Sequence, residues 1–282
     1  MMHLLVKDTA FDSKNTREYD LSIRISADGF SFCIYHPLTK TFVCCKHVDF
    51  SVKDTKYYRN QAIALCEPYL AYEYRRTLVV FADEKSTLIP EGVFQPADYL
   101  NILHFNYPET KHSGYELLIN NLTVFSITNI FAVYTEQITF WKEVFPSAEF
   151  IHMHTPLIDA LLKESKKEDI QLVWLYIQPT SIFLSYADKG KLIFSNTFPI
   201  QSATDIVYAC GNVFEQFGLS QHHTKLILTG NYTSKSEIYS LLHTHFAMLD
   251  EYSLASDIII QSSCKSFDIQ KLMDLLLVPL CV

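Results

Sequence analysis

The stretch LSIRISADGFSFCIYHPLTKTF, residues 21–42, and the stretch VWLYIQPTSIFLSYADKGKLIF, residues 173–194, decide the fold. One shift of 152 positions lays Leu21 on Val173, Ile23 on Leu175, Ile25 on Ile177, Phe30 on Ile182, Phe32 on Leu184, Ile34 on Tyr186 and Phe42 on Phe194. Alternating apolar and polar side chains mark half-buried strands, and any two hairpins can be slid into agreement over a few residues. Chance does not so readily hold one offset through two turns, because a single inserted residue flips every later side chain to the other face. The two stretches therefore read as copies of one three-stranded meander, each running on into a helix.

Outward from the first copy, strands Leu21–Ser26, Phe30–Tyr35 and Thr41–Phe50 are joined by turns at Ala27-Asp28-Gly29 and His36-Pro37. A helix is expected over Lys53–Arg75, with Tyr58, Ala62, Leu65, Tyr69 and Tyr72 as its apolar stripe and Pro68 kinking or splitting it. Thr77–Ala82 is the next strand. Residues 83–130 are less regular and read as an insertion, in which Phe94, Tyr99, Phe105 and Tyr107 concentrate. A helix near Glu136–Phe145, a strand Glu149–His154 and a helix Pro156–Lys166 close the half. The charge cluster from Lys163 to Asp169 ends it in solvent, giving expected domains of 1–168 and 169–282.

The second half is cleaner. Strands Leu172–Ile177, Ser181–Ala187 and Lys191–Phe198 are followed by a helix that Ser202 and Asp205 open and Gly218 ends. Leu226–Thr229 is a strand, Ser234 and Glu237 repeat the helix-opening pair, Asp257–Ile260 is a strand, and Asp268–Leu277 is a helix. The order βββαβαβα fits both halves around the insertion, an α/β class with mixed sheets.

Composition narrows the function. The 282 residues are 49% apolar and 14% aromatic, enough to bury a large core. A net charge of −8 and a pI near 5.7 give no electrostatic footprint for nucleic acid or an anionic membrane. No basic start precedes an apolar core at the N-terminus, and no apolar run approaches the ~20 residues that span a bilayer, so no membrane insertion is expected. Seven cysteines without CxxC spacing suggest reduced thiols and a cytoplasmic protein.

Two βββαβαβα units facing each other define the actin-like ATPase, ribonuclease H-like architecture. The chain resembles an uncharacterised bacterial family of that fold and, more distantly, the actin-like proteins of pilus assembly and type II secretion. The hairpin Asp188-Lys189-Gly190-Lys191-Leu192-Ile193-Phe194-Ser195 is similar to theirs, and Thr229-Gly230-Asn231 before a helix resembles their adenosine turn. The resemblance implies where a nucleotide would be held: Ser26 and Asp28 at the first phosphate loop, Gln178 and Thr180 at the second, Gly230 at the adenosine turn.

The residues at those places are poorly suited to the task. Arg24 and Tyr176 stand where the resemblance implies metal-organising carboxylates, Pro179 supplies no N–H, and Asn231 replaces a second glycine. Only 7 glycines occur in the chain, whereas average usage is about 7% and cradling loops draw on glycine heavily. No Walker-type or GxGxxG motif is present. Arg24, on an outward strand face, is read as solvated.

His152 and His154 have the spacing of a metal pair without an identifiable third ligand and read as a partly buried strand edge. His222-His223 and His243 with His245 make no site, and no GxSxG elbow occurs. The expected function is a degenerate actin-fold module acting by contact with an unidentified protein partner, with no cofactor favoured. The alternative is an ATP-dependent enzyme of the superfamily, an ATPase or small-molecule kinase using Mg²⁺–ATP.

Overall fold

Three strands paired in register open each of two β-sheets in the computed structural model, which describes residues 11–26, 29–49, 64, 67, 69–82, 85–261, 264 and 268–281. Ala27, Asp28, Cys66, Pro68 and most of the expected Lys53–Arg75 helix lie outside the described residues. The end of that helix is corrected: Tyr69–Ala71 forms one 3₁₀ turn, and residues 72–75 are not helical. The chain forms two compact units. One comprises Met1–Pro156, Ala255–Asp268 and Asp274–Val282, and the other Leu157–Leu254 and Ile269–Met273. The chain changes unit after residue 156, and its last 28 residues alternate between units.

In the first unit, β1 (Asp20–Ser26), β2 (Gly29–His36), β3 (Thr41–Asp49) and β4 (Arg76–Phe81) precede the insertion, which contributes β5 (Ser86–Pro90), α1 (Tyr99–Asn106), β6 (Tyr115–Leu122) and β7 (Ile127–Tyr134). Then come α2 (Thr135–Val144), β8 (Glu149–His152) and α3 (His154–Glu168), which begins in this unit. The second unit holds β9 (Gln171–Ile177), β10 (Ser181–Asp188), β11 (Lys191–Pro199), α4 (Ala203–Gln216), β12 (Lys225–Gly230), α5 (Glu237–His245) and β13 (Leu249–Glu251). The chain closes with β14 (Ile259–Ile260) and α6 (Met273–Cys281).

The main sheets run β14-β3-β2-β1-β4-β8 and β11-β10-β9-β12-β13, so five strands of each follow one order. The agreement extends to register. Leu21 faces Ile34, Ile23 faces Phe32 and Ile25 faces Phe30, while Val173 faces Tyr186, Leu175 faces Leu184 and Ile177 faces Ile182, each pair displaced by 152. Both second strands carry an irregularity at the same place, between Ile34 and Tyr35 and between Tyr186 and Ala187.

The third strand departs from the constant offset. His36 pairs with Thr41 across four turn residues, Asp188 with Lys191 across two, so the offset falls to 150 and Phe194 corresponds to Cys44 instead of Phe42. An even change keeps the faces aligned, which is why the apolar pattern hides it. Two further expectations are corrected. The 257–260 strand, read as part of the second half, joins the first sheet as β14 beside β3, and β13 lies beside β12 in the second. Ser236, not Ser234, caps α5, its hydroxyl accepting from the Tyr239 N–H.

Leu21, Ile23, Phe30, Phe32 and Val79 form the first core with Ile138 and Trp141 of α2. Val173, Leu175, Leu184, Leu226 and Leu228 form the second with Ile206, Cys210 and Phe214 of α4 and Leu242 of α5. The opposite faces are buried too. Asp20, Ser22 and Arg24 of β1 occupy the positions that Leu172, Trp174 and Tyr176 hold in β9.

The insertion is a small domain with its own sheet, β5-β7-β6, and its own core of Ile89, Tyr99, Leu103 and Ile130. Its joint with the main sheet is apolar on one side, where Phe131 and Val133 of β7 enter the first core, and polar on the other. The Asn120 amide donates to the Phe150 carbonyl at 2.9 Å and accepts from the His152 N–H at 2.8 Å, closing the edge of β8 as a neighbouring strand would. Thr155 Oγ1 receives Asn129 Nδ2 and reaches Asn120 Oδ1, both at 3.0 Å. Ser86 Oγ lies 2.6 Å from His154 Nδ1, and the His154 N–H donates to His152 Nδ1. Both histidines are buried, and His154 opens a helix, so the partly buried strand edge expected of them is corrected. Burial and the neighbouring His152 push the His154 pKa well below its usual value.

This packing can be tested at a glycine and at a histidine. A Cβ at Gly230, where φ is +101°, would lie 2.1 Å from the Ile177 carbonyl oxygen, whereas Gly211 inside α4 has open space around it. Gly230→Ala should lower the unfolding free energy by at least ~3 kcal/mol in urea titrations and Gly211→Ala raise it by ~0.5–1 kcal/mol. At pH values between its folded and unfolded pKa, His154 is neutral in the folded chain and protonated in the unfolded one. Its contribution is therefore intact above pH ~6.5 and lost as pH falls toward the folded pKa, at up to ~1.4 kcal/mol per pH unit. A stability profile of His154→Gln should lack that increment; an unchanged acid slope contradicts it.

Candidate functional site

In open sheets with parallel strands, ligands gather outside the carboxyl ends of the strands. In the second unit those are the ends of the parallel neighbours β9 and β12, and the sequence places Gln178, Thr180 and Gly230 there. Gly230 pairs with Ile177, the residue before Gln178, and the Asn231 N–H donates to the Ile177 carbonyl at 2.8 Å.

Two groups at these strand ends bond to residues 270 and 271. The Gly230 N–H donates to the Gln270 carbonyl at 2.9 Å, and the Tyr176 hydroxyl reaches the Lys271 carbonyl at 3.4 Å. Gln270 is itself held by its side-chain amide, which donates to the Tyr252 carbonyl at 2.9 Å. Residues 269–273 thus lie against both strand ends. The left-handed glycine serves the approach of β12 to the Ile177 backbone.

At the β9–β10 turn, the Gln178 N–H donates to the Ser181 carbonyl at 2.8 Å, and the Gln178 side chain accepts from Ser181 Oγ at 3.0 Å. Pro179 has no N–H to offer. Thr180 is exposed, and its carbonyl accepts from the Ile200 N–H. Trp174 Nε1 donates to Thr229 Oγ1 at 2.8 Å, a buried bond that ties β9 to β12 one residue before the glycine.

Ser26, the remaining described candidate, ends β1 in the first unit with its hydroxyl 3.3 Å from the Gly29 carbonyl, and Asp28 lies outside the described residues. The expectation of a solvated Arg24 is overturned. Its side chain is 2% exposed and its Nε sits 2.9 Å from Oδ2 of a fully buried Asp274 on α6. Sequence reasoning missed Asp274. The available signal was a lone carboxylate in MDLLLVPLC, residues 273–281, because a charge in an apolar helix is buried only when paired. On the same face Arg75 grips Asp20 through two bonds, of 2.8 and 2.5 Å.

No group of three or more His, Cys, Asp or Glu able to hold a metal ion occurs among the described residues. Burial raises the Cys33 thiol well above its ordinary pKa and Cys210 to about 12, while a hydrogen bond to Cys264 and burial raise Cys45. They stay protonated at neutral pH and are poor nucleophiles. No helix among the described residues is long and apolar enough to cross a membrane.

These strand orders and strand-end contacts can be set beside solved structures. A protein of actin-like ATPase fold and unknown function from Bacteroides thetaiotaomicron VPI-5482 is 24% identical, with a TM-score of 0.77 covering 94% of this chain and 98% of that one. A chain of a PilM–PilN type IV pilus biogenesis complex is 13% identical, with a TM-score of 0.58 covering 94% and 97%. No curated protein matches. The fold is therefore that of the actin-like ATPase, ribonuclease H-like superfamily, with two β-sheet lobes. The family described as "Protein of unknown function (DUF3822)" matches residues 8–249, and the chain belongs to it.

Proposed function

We propose that this chain is a non-catalytic protein-contact or assembly module on the actin-like ATPase fold, its two lobes descended from one duplicated unit near residues 1–168 and 169–282. The occupation of the β9 and β12 ends by residues 269–273 carries the reading, since the Gly230 N–H and the Tyr176 hydroxyl, which would meet a nucleotide there, already bond Gln270 and Lys271. The burial of Arg24 against Asp274 supports it from the other lobe, because a guanidinium neutralised by its own carboxylate has little charge left to offer a phosphate. The shared registers and the irregularity common to β2 and β10 support duplication. The pilus biogenesis complex is a precedent for this fold working through protein contact.

The insertion is the contact surface in this reading. Val93, Phe94, Leu100, Phe105, Ile119 and Val124, six of thirteen exposed large apolar side chains among the described residues, fall within positions 93–124. Phe94 is 43% and Phe105 84% exposed. Tyr99 and Tyr107 serve the insertion's own core, the Tyr107 hydroxyl donating to the Ser86 carbonyl at 2.9 Å. Large aromatics left in water are the usual anchors of interfaces.

Replacing Phe94 and Phe105 together with serine should leave the circular dichroism spectrum and melting temperature nearly unchanged, because both rings are exposed. The same variant should lose at least one partner that the unaltered chain captures from native cell extract. A folded variant with an unchanged partner set sinks the insertion as the interface.

A further inference from the structure

The duplicated sheets differ at one edge, and the difference points to a second binding surface apart from the insertion. In the first sheet β14 runs parallel to β3, opposing Ile259 to Thr41 and Ile260 to Phe42. The Ile259 N–H donates to the Lys40 carbonyl at 2.9 Å and the Gln261 N–H to the Phe42 carbonyl at 3.2 Å. The Lys40 ammonium, just before β3, binds the Asp257 carboxylate two residues ahead of Ile259. An acidic residue, a spacer and two aliphatic residues are therefore what this edge accepts.

In the second sheet the corresponding strand is β11, and among the described residues it pairs on one side only, with β10. The offset of 150 that relates the third strands places Gly190 at Lys40, Lys191 at Thr41, Leu192 at Phe42 and Ile193 at Val43. Lys40 and Gly190 both sit in the left-handed region, with φ of +51° and +80°, so the two turns deliver their strands alike. The covered edge buries Val43 to 5% exposure, whereas its counterpart Ile193 is 47% exposed. Lys191, exposed, places a cation within one residue of the Lys40 position.

We propose that the β11 edge binds an extended segment of a partner polypeptide, acidic residue, spacer, then two aliphatic residues, running parallel to β11. Its backbone N–H groups donate to the Gly190 and Leu192 carbonyls as Ile259 and Gln261 donate to Lys40 and Phe42, its carboxylate meets Lys191, and an aliphatic side chain covers Ile193. Main-chain bonds supply affinity in strand addition and flanking side chains supply selectivity. An edge strand left open with an apolar side chain on it is otherwise a hazard that folded proteins cover or charge.

The chain's own Leu254–Gln261 segment, made as a fluorescein-labelled peptide and titrated with the intact chain by fluorescence anisotropy, tests this. Saturable binding is expected, weakened about fivefold by Lys191→Glu and unaffected by Lys40→Glu. N-methylation at the Ile259 or the Gln261 position of the peptide removes a donor and should abolish binding, while N-methylation at Ile260, whose N–H points away, should not. No saturable binding, binding indifferent to the methylated donors, or binding that depends on Lys40 and not Lys191 overturns the proposal. The last result would mean that the peptide exchanges with β14 instead of joining β11.

Discussion

A guanidinium and a carboxylate buried against each other, Arg24 on β1 and Asp274 on α6, are the constraint on which the first unit depends. Taking either charge out of water alone costs several kcal/mol, and removing one partner of such a pair typically costs ~3–5 kcal/mol because the other is stranded. The pair therefore admits one seating of α6, with Asp274 over β1, and the rest of MDLLLVPLC follows it into the core: Leu275, Leu276 and Val278 are buried. Asp20, fully buried on the same face, is neutralised by Arg75 from the residue preceding β4. Charge pairing fixes here what side-chain volume fixes on the equivalent face of β9, where Leu172, Trp174 and Tyr176 fill the space.

The second unit relies on backbone proximity instead. Gly230 lets β12 and Ile177 approach more closely than any side chain allows, and the turn after it is bonded back to β9 through Asn231. Phe81 holds the same position beside β1 that Gly230 holds beside β9, since it pairs with Ile25 as Gly230 pairs with Ile177. One lobe thus has a core aromatic at this position and the other a glycine whose N–H bonds Gln270.

Period-two alternation in residues 21–42 and 173–194 made the paired meanders and their register legible, because the register of β1 with β2 and of β9 with β10 is set by which side chains must be buried. The two-residue change before the third strand left parity intact and so left no trace in the pattern. The fate of β14 was illegible for a different reason: two residues paired to a strand more than 200 positions away give no local signal. Alternation also says only that Ile23 and Arg24 face opposite ways, and a sheet covered on both faces buries both. Of the candidate residues, Gln178 and Gly230 lie at adjoining strand ends, whereas Gln270 and Lys271, which meet Gly230 and Tyr176, are ordinary polar residues with nothing in sequence to mark them.

This chain, on the reading proposed, satisfies with its own atoms the groups that an actin-like ATPase fold can turn toward a nucleotide. Isothermal titration calorimetry of the intact chain with Mg²⁺–ATP at millimolar concentration tests that most directly, with thermal unfolding as a parallel readout. A ligand present at a hundred times its dissociation constant would add ~2.7 kcal/mol of stability, well within detection. The result predicted is no saturable heat and no shift in melting temperature. Saturable, Mg²⁺-dependent binding that weakens in Ser26→Ala or Gln178→Ala would contradict the reading and make the chain a nucleotide-binding protein.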